Sequence, residues 1–150
     1  MVTTPLDRRR LRWLREALVL LQRMLQEDEL GVIGPCAVGL GQLKRNNAEF
    51  FSATPLDVYP RALRYPSHII VNRDVTDPQR LLCLLLHELA HYVTEDEGEA
   101  HGRKWQQVAR TFGLRRGKGE LSHFTTPCVT LQQRLSPILA RLGPYPVEQE

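Results

Sequence analysis

The feature that most restricts this chain is the run from 81 to 93. Leu81, Leu82, Leu84, Leu85, Leu86, Leu89, Ala90 and Val93 leave no polar face for solvent. A helix that is apolar on every side has to sit at the centre of a fold. Asp77-Pro78 supplies its start, with Asp as N-cap and Pro in the first turn. Set into this run is His87-Glu88-Leu89-Ala90-His91, an HExxH motif. Imidazoles at i and i+4 share one helical face and lie close enough to hold a single ion. By average residue frequencies the motif arises by accident in roughly one chain in two hundred of this length. A structural reading exists, in which loop carbonyls satisfy the imidazoles. Burying two histidines and a glutamate without partners is costly.

The motif divides the labour between its residue types. His87 and His91 are expected to bind zinc, the ion that imidazole and this geometry favour. Glu88 projects about 100° away around the helix. That keeps it from ready direct ligation and leaves it within reach of a zinc-bound water, whose proton it can take. His101 is the leading third ligand, ten residues beyond His91 and across an acidic loop. Glu95, Asp96, Glu97 and Glu99 in that loop are carboxylate alternatives, and a solvated charged loop is their ordinary reading. The spacing differs from HExxHxxGxxH, so the chain is not a metzincin. No second motif supplies the cysteine ligand of a deformylase. Cys83 lies one turn before His87, where core packing accounts for it. His68 and His123 read as structural. Tyr59, Tyr65, Tyr92 and Tyr145 are all candidates for stabilising an oxyanion, and the sequence does not choose among them.

The rest of the chain frames this helix. Its 150 residues suit one domain, and 42% hydrophobic residues suffice for a single core. A first helix within residues 1–30 opens at Thr4-Pro5 and carries Leu11, Leu14, Leu18, Leu21 and Leu25 on one face, ending near Leu30-Gly31. Three short strands are expected: Cys36 to Leu43, bulged by Gly39 and Gly41; Ala48 to Ala53; and the β-branched run from His68 to Val71. Pro55, Pro60 and Pro66 mark the loop before the third. After the acidic loop a helix runs from His101 to Phe112 and stops at Gly113, and Gly117 and Gly119 open a loop. Thr126-Pro127 caps a final helix over 126–142, which Pro137 is expected to kink.

Charge and cysteines bear on setting. Cys36, Cys83 and Cys128 form no CxxC pair, which fits a reducing compartment. No window reaches the roughly 18 apolar residues of a membrane span. A cytoplasmic location is expected. The net charge of +3 and pI near 9.0 are mildly basic. Arg8, Arg9, Arg12 and Arg15 lie mostly off the leucine stripe of the first helix. Their ordinary reading is a solvated face, and the sharper one is a docking surface for DNA or another polyanion.

Several stretches together resemble the SprT-like zinc metallopeptidases, in particular short bacterial and phage members without a zinc ribbon. HELAH at 87 to 91, followed after a loop by His101-Gly102-Arg103-Lys104-Trp105, is similar to that family's HExxH, later His, and aromatic four residues on. Phe50-Phe51-Ser52-Ala53 resembles its aromatic-Phe-Ser strand, and His68 to Asn72 the strand before its active helix. Thr126-Pro127 and Leu142-Gly143-Pro144-Tyr145-Pro146 resemble the tail of its short members. The resemblance covers most of the chain from about residue 36. It implies a small α+β, zincin-like fold with a short three-stranded sheet and a central HExxH helix. It also implies His87, His91 and His101 as zinc ligands, Glu88 as the catalytic residue and a polypeptide substrate. Better-known members cut proteins crosslinked to DNA. Pro137 and the missing DNA-binding ribbon depart from the family pattern. The alternative expectation is a non-catalytic adaptor or regulatory domain stapled by zinc, to which the Arg-rich helix and the basic pI point.

Overall fold

The computed structural model describes residues 4–30, 36–43, 47–51, 67–94, 101–117 and 124–148. Along the chain run α1 (Pro5–Glu27), β1 (Ala37–Gly41), β2 (Ala48–Phe51), β3 (His68–Asn72), α2 (Pro78–Thr94), α3 (Arg103–Thr111), β4 (Leu114–Arg115), β5 (Thr126–Pro127) and α4 (Val129–Leu142). The fold is α+β, with β1, β3 and β2 in that order in one sheet and β4 and β5 paired in a second. β1 runs parallel to β3 and β2 antiparallel to it.

α1 starts as its sequence requires. Thr4 Oγ1 accepts the Asp7 N–H at 3.1 Å and the Asp7 carboxylate accepts the Thr4 N–H at 3.4 Å, a reciprocal capping box. Leu14, Leu18, Leu21 and Leu25 are buried with Trp13, Ala17 and Met24, while Leu11 is only half-buried. The helix ends earlier than the Leu30-Gly31 signal, at Glu27. Glu29 adopts φ 57°, and the Glu29 and Leu30 N–H groups donate to the Gln26 and Leu25 carbonyls. This Schellman closure satisfies the last carbonyls without the glycine that usually makes it.

α2 fills the centre. Every residue from Leu81 to Ala90 is buried, and the helix touches α1, α3, α4 and β2. Asp77 caps it, its carboxylate accepting the Arg80 N–H at 2.8 Å. No helix of the described residues is long and apolar enough to cross a membrane.

β1 carries no bulge, contrary to what its glycines suggest, for it pairs with β3 in unbroken register from Ala37 to Gly41. The glycines serve a close approach instead. A Cβ at Gly39 would lie 3.1 Å, and one at Gly41 2.9 Å, from methyl groups of Ile70. Thr126-Pro127 does not cap α4. These residues form β5 against Leu114-Arg115, and Cys128 is the N-cap, its Sγ accepting the Leu131 N–H at 3.4 Å. The residue before a proline is driven to extended backbone, which suits a strand better than a cap. α4 continues through Pro137 to Leu142. Beyond it the tail returns to α1. The Trp13 indole donates to the Gly143 carbonyl at 3.0 Å, and the Arg10 guanidinium to the Pro146 carbonyl at 2.9 Å. Arg10 is thus a buried structural member of the arginine cluster, whereas Arg8, Arg9, Arg12 and Arg15 are exposed.

Candidate metal centre

α2 delivers the first two imidazoles. His87 and His91 are one turn apart, with ring centroids separated by 5.3 Å. His101, across the acidic loop and just ahead of α3, brings its ring to 4.9 Å from that of His87 and 5.1 Å from that of His91. The ligating atoms of these three lie within 4.8 Å of one another, so the group could hold a metal ion. The Nε2 atoms of His87 and His101 are 3.0 Å apart. The Nδ1 of His87 faces the Phe124 carbonyl at 3.4 Å, and a carbonyl can only accept. That contact places the ring hydrogen on Nδ1 and turns the Nε2 lone pair toward His101, the tautomer a metal ligand needs.

Trp105 underlies all three rings. It is fully buried, with its ring centroid 4.6, 5.0 and 4.5 Å from those of His87, His91 and His101. Phe124 packs edge-on against it at 5.5 Å. His101 and Phe124 both have positive φ, 69° and 57°. For residues with a Cβ this region costs roughly 1–2 kcal/mol each, and such outliers persist only where their surroundings over-determine them. Here both border the histidine cluster.

Glu88 is 4% exposed, and its Oε1 lies 3.9 Å from His87 Nε2. Burial first, and the charge of Glu49 second, push its carboxyl up to about 8, while a hydrogen bond from the Phe50 N–H pulls the other way. A cation held by the histidines would favour the ionised carboxylate. The site therefore pairs three imidazole nitrogens with one carboxyl group at the edge of the cluster.

The other candidates sort themselves by position. Cys83 is buried in the core, and burial raises its thiol to about 12, which makes it inert packing. His68 stacks on Phe51 at 4.9 Å in the sheet. Tyr92 packs on Phe50, and Tyr145 packs on Trp13 at the far end of the tail. Glu95, Asp96, Glu97, Glu99, Tyr59, Tyr65 and His123 lie outside the described residues. Phe124 and Gln106 touch His87 and His101 without any mark in the sequence. Nothing in periodicity marks a backbone carbonyl as a partner for His87. Trp105, four residues after His101, carried the visible signal.

The chain matches no protein-family model, no curated protein and no solved structure.

Proposed function

We propose that this chain is a zinc-dependent peptidase with a zincin-like, SprT-like arrangement, in which His87, His91 and His101 hold the ion and Glu88 is the general base. The observation that carries the reading is the convergence of three imidazoles beside a buried carboxyl group. Two nitrogens bound to tetrahedral zinc at ~2.0–2.1 Å are separated by about 3.3 Å. The 3.0 Å between His87 Nε2 and His101 Nε2 is close to that figure. Bound zinc supplies Lewis-acid activation of water near neutral pH. Glu88 accepts the proton of the attacking water and returns it to the leaving amine. A C–O bond forms, the peptide C–N bond breaks, and the carboxylate is regenerated.

The substrate is a polypeptide in extended form. β2 stands at an edge of the sheet, against α2, and its Phe50 N–H donates to the Glu88 carboxyl group. A peptide added along such an edge lies beside the reacting carboxylate. Exposed Arg8, Arg9, Arg12 and Arg15 on α1 suit an encounter with nucleic acid, which makes DNA-associated proteins in the cytoplasm the substrates to try first.

The test is casein and histone cleavage, with and without single-stranded DNA, by the wild type and by Glu88→Gln. Glu88→Gln keeps one zinc per chain and loses cleavage. Undiminished turnover in that variant refutes Glu88 as the base. The second reading, a non-catalytic domain stapled by zinc, draws on Trp105, whose burial beneath the histidines would let an ion tie α2 to α3. One tightly held zinc in a wild type that cleaves neither protein favours it.

A further inference from the structure

We infer that Gln106 is a positioning residue that holds the third metal ligand in its strained conformation, an inference that rests on the metal centre proposed above. His101 enters the site from a loop, unlike His87 and His91, whose directions the α2 helix fixes. Its backbone sits at φ 69°, a region that residues with a Cβ adopt only under constraint. The first turn of α3 supplies that constraint at two points. Trp105 packs its ring against the His101 imidazole, with centroids 4.5 Å apart. Gln106 reaches back from the helix, and its Nε2 donates to the His101 carbonyl at 2.8 Å.

The two grips do different things. Trp105 touches all three histidine rings and serves the centre as a whole. Gln106 touches the backbone of one ligand residue. Its own N–H donates to the Gly102 carbonyl at 2.9 Å, which roots it in the helix, and Gly102 contributes no side-chain cap of its own. Gln106 therefore sets where the peptide plane after His101 lies and, with it, where the imidazole points. Second-shell hydrogen bonds of this kind commonly change metal affinity by about 10–100-fold when removed. This one acts through the backbone of the ligand residue rather than its ring, so the lower end of that range applies.

A double-mutant cycle separates positioning from general support of the fold. Zinc affinity is measured by chelator competition for the full chain as wild type, Gln106→Met, His101→Ala and the double variant. Urea midpoints of the metal-free proteins are measured alongside. Gln106→Met is expected to bind zinc about 10-fold more weakly than wild type and to add no loss once His101 is alanine. Gln106→Glu keeps the side chain's shape but, ionised, cannot donate, and is expected to match Gln106→Met. Equal zinc affinity in wild type and both Gln106 variants, or an equal loss with and without His101, overturns the positioning role and leaves the metal centre standing. A wild type that takes up no zinc overturns the centre and this role together.

Discussion

Replacing Glu88 with Gln tests the electrostatics of the centre independently of any substrate. In the metal-free chain the Glu88 carboxyl is raised from an ordinary 4.5 to about 8, mainly by burial. The folded state therefore holds a proton that the unfolded chain has lost. The contribution of this group to stability is fully present below about pH 4.5. It falls as pH rises between the two values and is gone above about 8. At about 1.36 kcal/mol per pKa unit the whole loss is up to about 5 kcal/mol, of which about 3 kcal/mol is incurred by pH 7. Glutamine does not titrate, and its amide oxygen can still accept the Phe50 N–H. The assay is urea unfolding followed by tryptophan fluorescence from pH 4.5 to 9, with a chelator present. The variant is expected to gain on the wild type steadily across that window and to stand several kcal/mol above it at pH 9. Zinc is expected to flatten the wild-type slope, because a cation beside the carboxylate favours its charged form. Parallel wild-type and variant curves in chelator would refute the claim that burial governs Glu88.

Two further perturbations test the frame that holds the site. Gly113→Ala places a Cβ 2.8 Å from that of Leu131 at a backbone φ of 98°, and is expected to lower the unfolding free energy by about 2 kcal/mol or more in a urea titration. Arg10→Met removes the hydrogen bonds to the Pro146 and Arg73 carbonyls and the contact over the Tyr145 ring. It is expected to cost about 1–3 kcal/mol, and increased proteolysis at the tail, checked by mass spectrometry, would accompany the release of residues 143–148.

What the sequence announced most clearly was whatever repeats with a helical or strand period. The leucine run placed α2 at the centre because no other environment accepts a helix without a polar face. The β-branched stretch gave β3, and the stripe from Leu14 to Leu25 gave the buried face of α1. The signals that misled were local ones with two physical uses. Gly39 and Gly41 permit a bulge, but they also clear space for Ile70, and that second use prevailed. Thr126-Pro127 has the composition of a helix start, but extended backbone before proline fits the β4–β5 pair equally well. Strands of two residues have no period to read, so that pair had no signature. The burial of Arg10 among exposed arginines has no sequence signal, because it depends on where the tail lands, 136 residues later.

The candidate metal centre divides in the same way between periodic and loop-borne residues. An i, i+4 pair is a property of one helix, so His87 and His91 were readable from the motif alone. Completing the group requires two loop-borne residues, His101 and Phe124, to adopt backbone conformations that a chain without a special requirement would assign to Gly or Asn. Neither substitute would serve. Glycine at 101 removes the imidazole, and glycine at 124 removes the ring that packs on Trp105, though it would keep the carbonyl that orients His87. Retaining His and Phe at positive φ, at a cost of roughly 1–2 kcal/mol each, means that what their side chains do outweighs what their backbones lose. Of the three non-glycine residues with positive φ among those described, Glu29 closes a helix, and the other two meet at one histidine cluster. Strain concentrated in this way beside converging nitrogen donors supports the proposed metal centre, which needs the His101 imidazole and the Phe124 carbonyl where they stand.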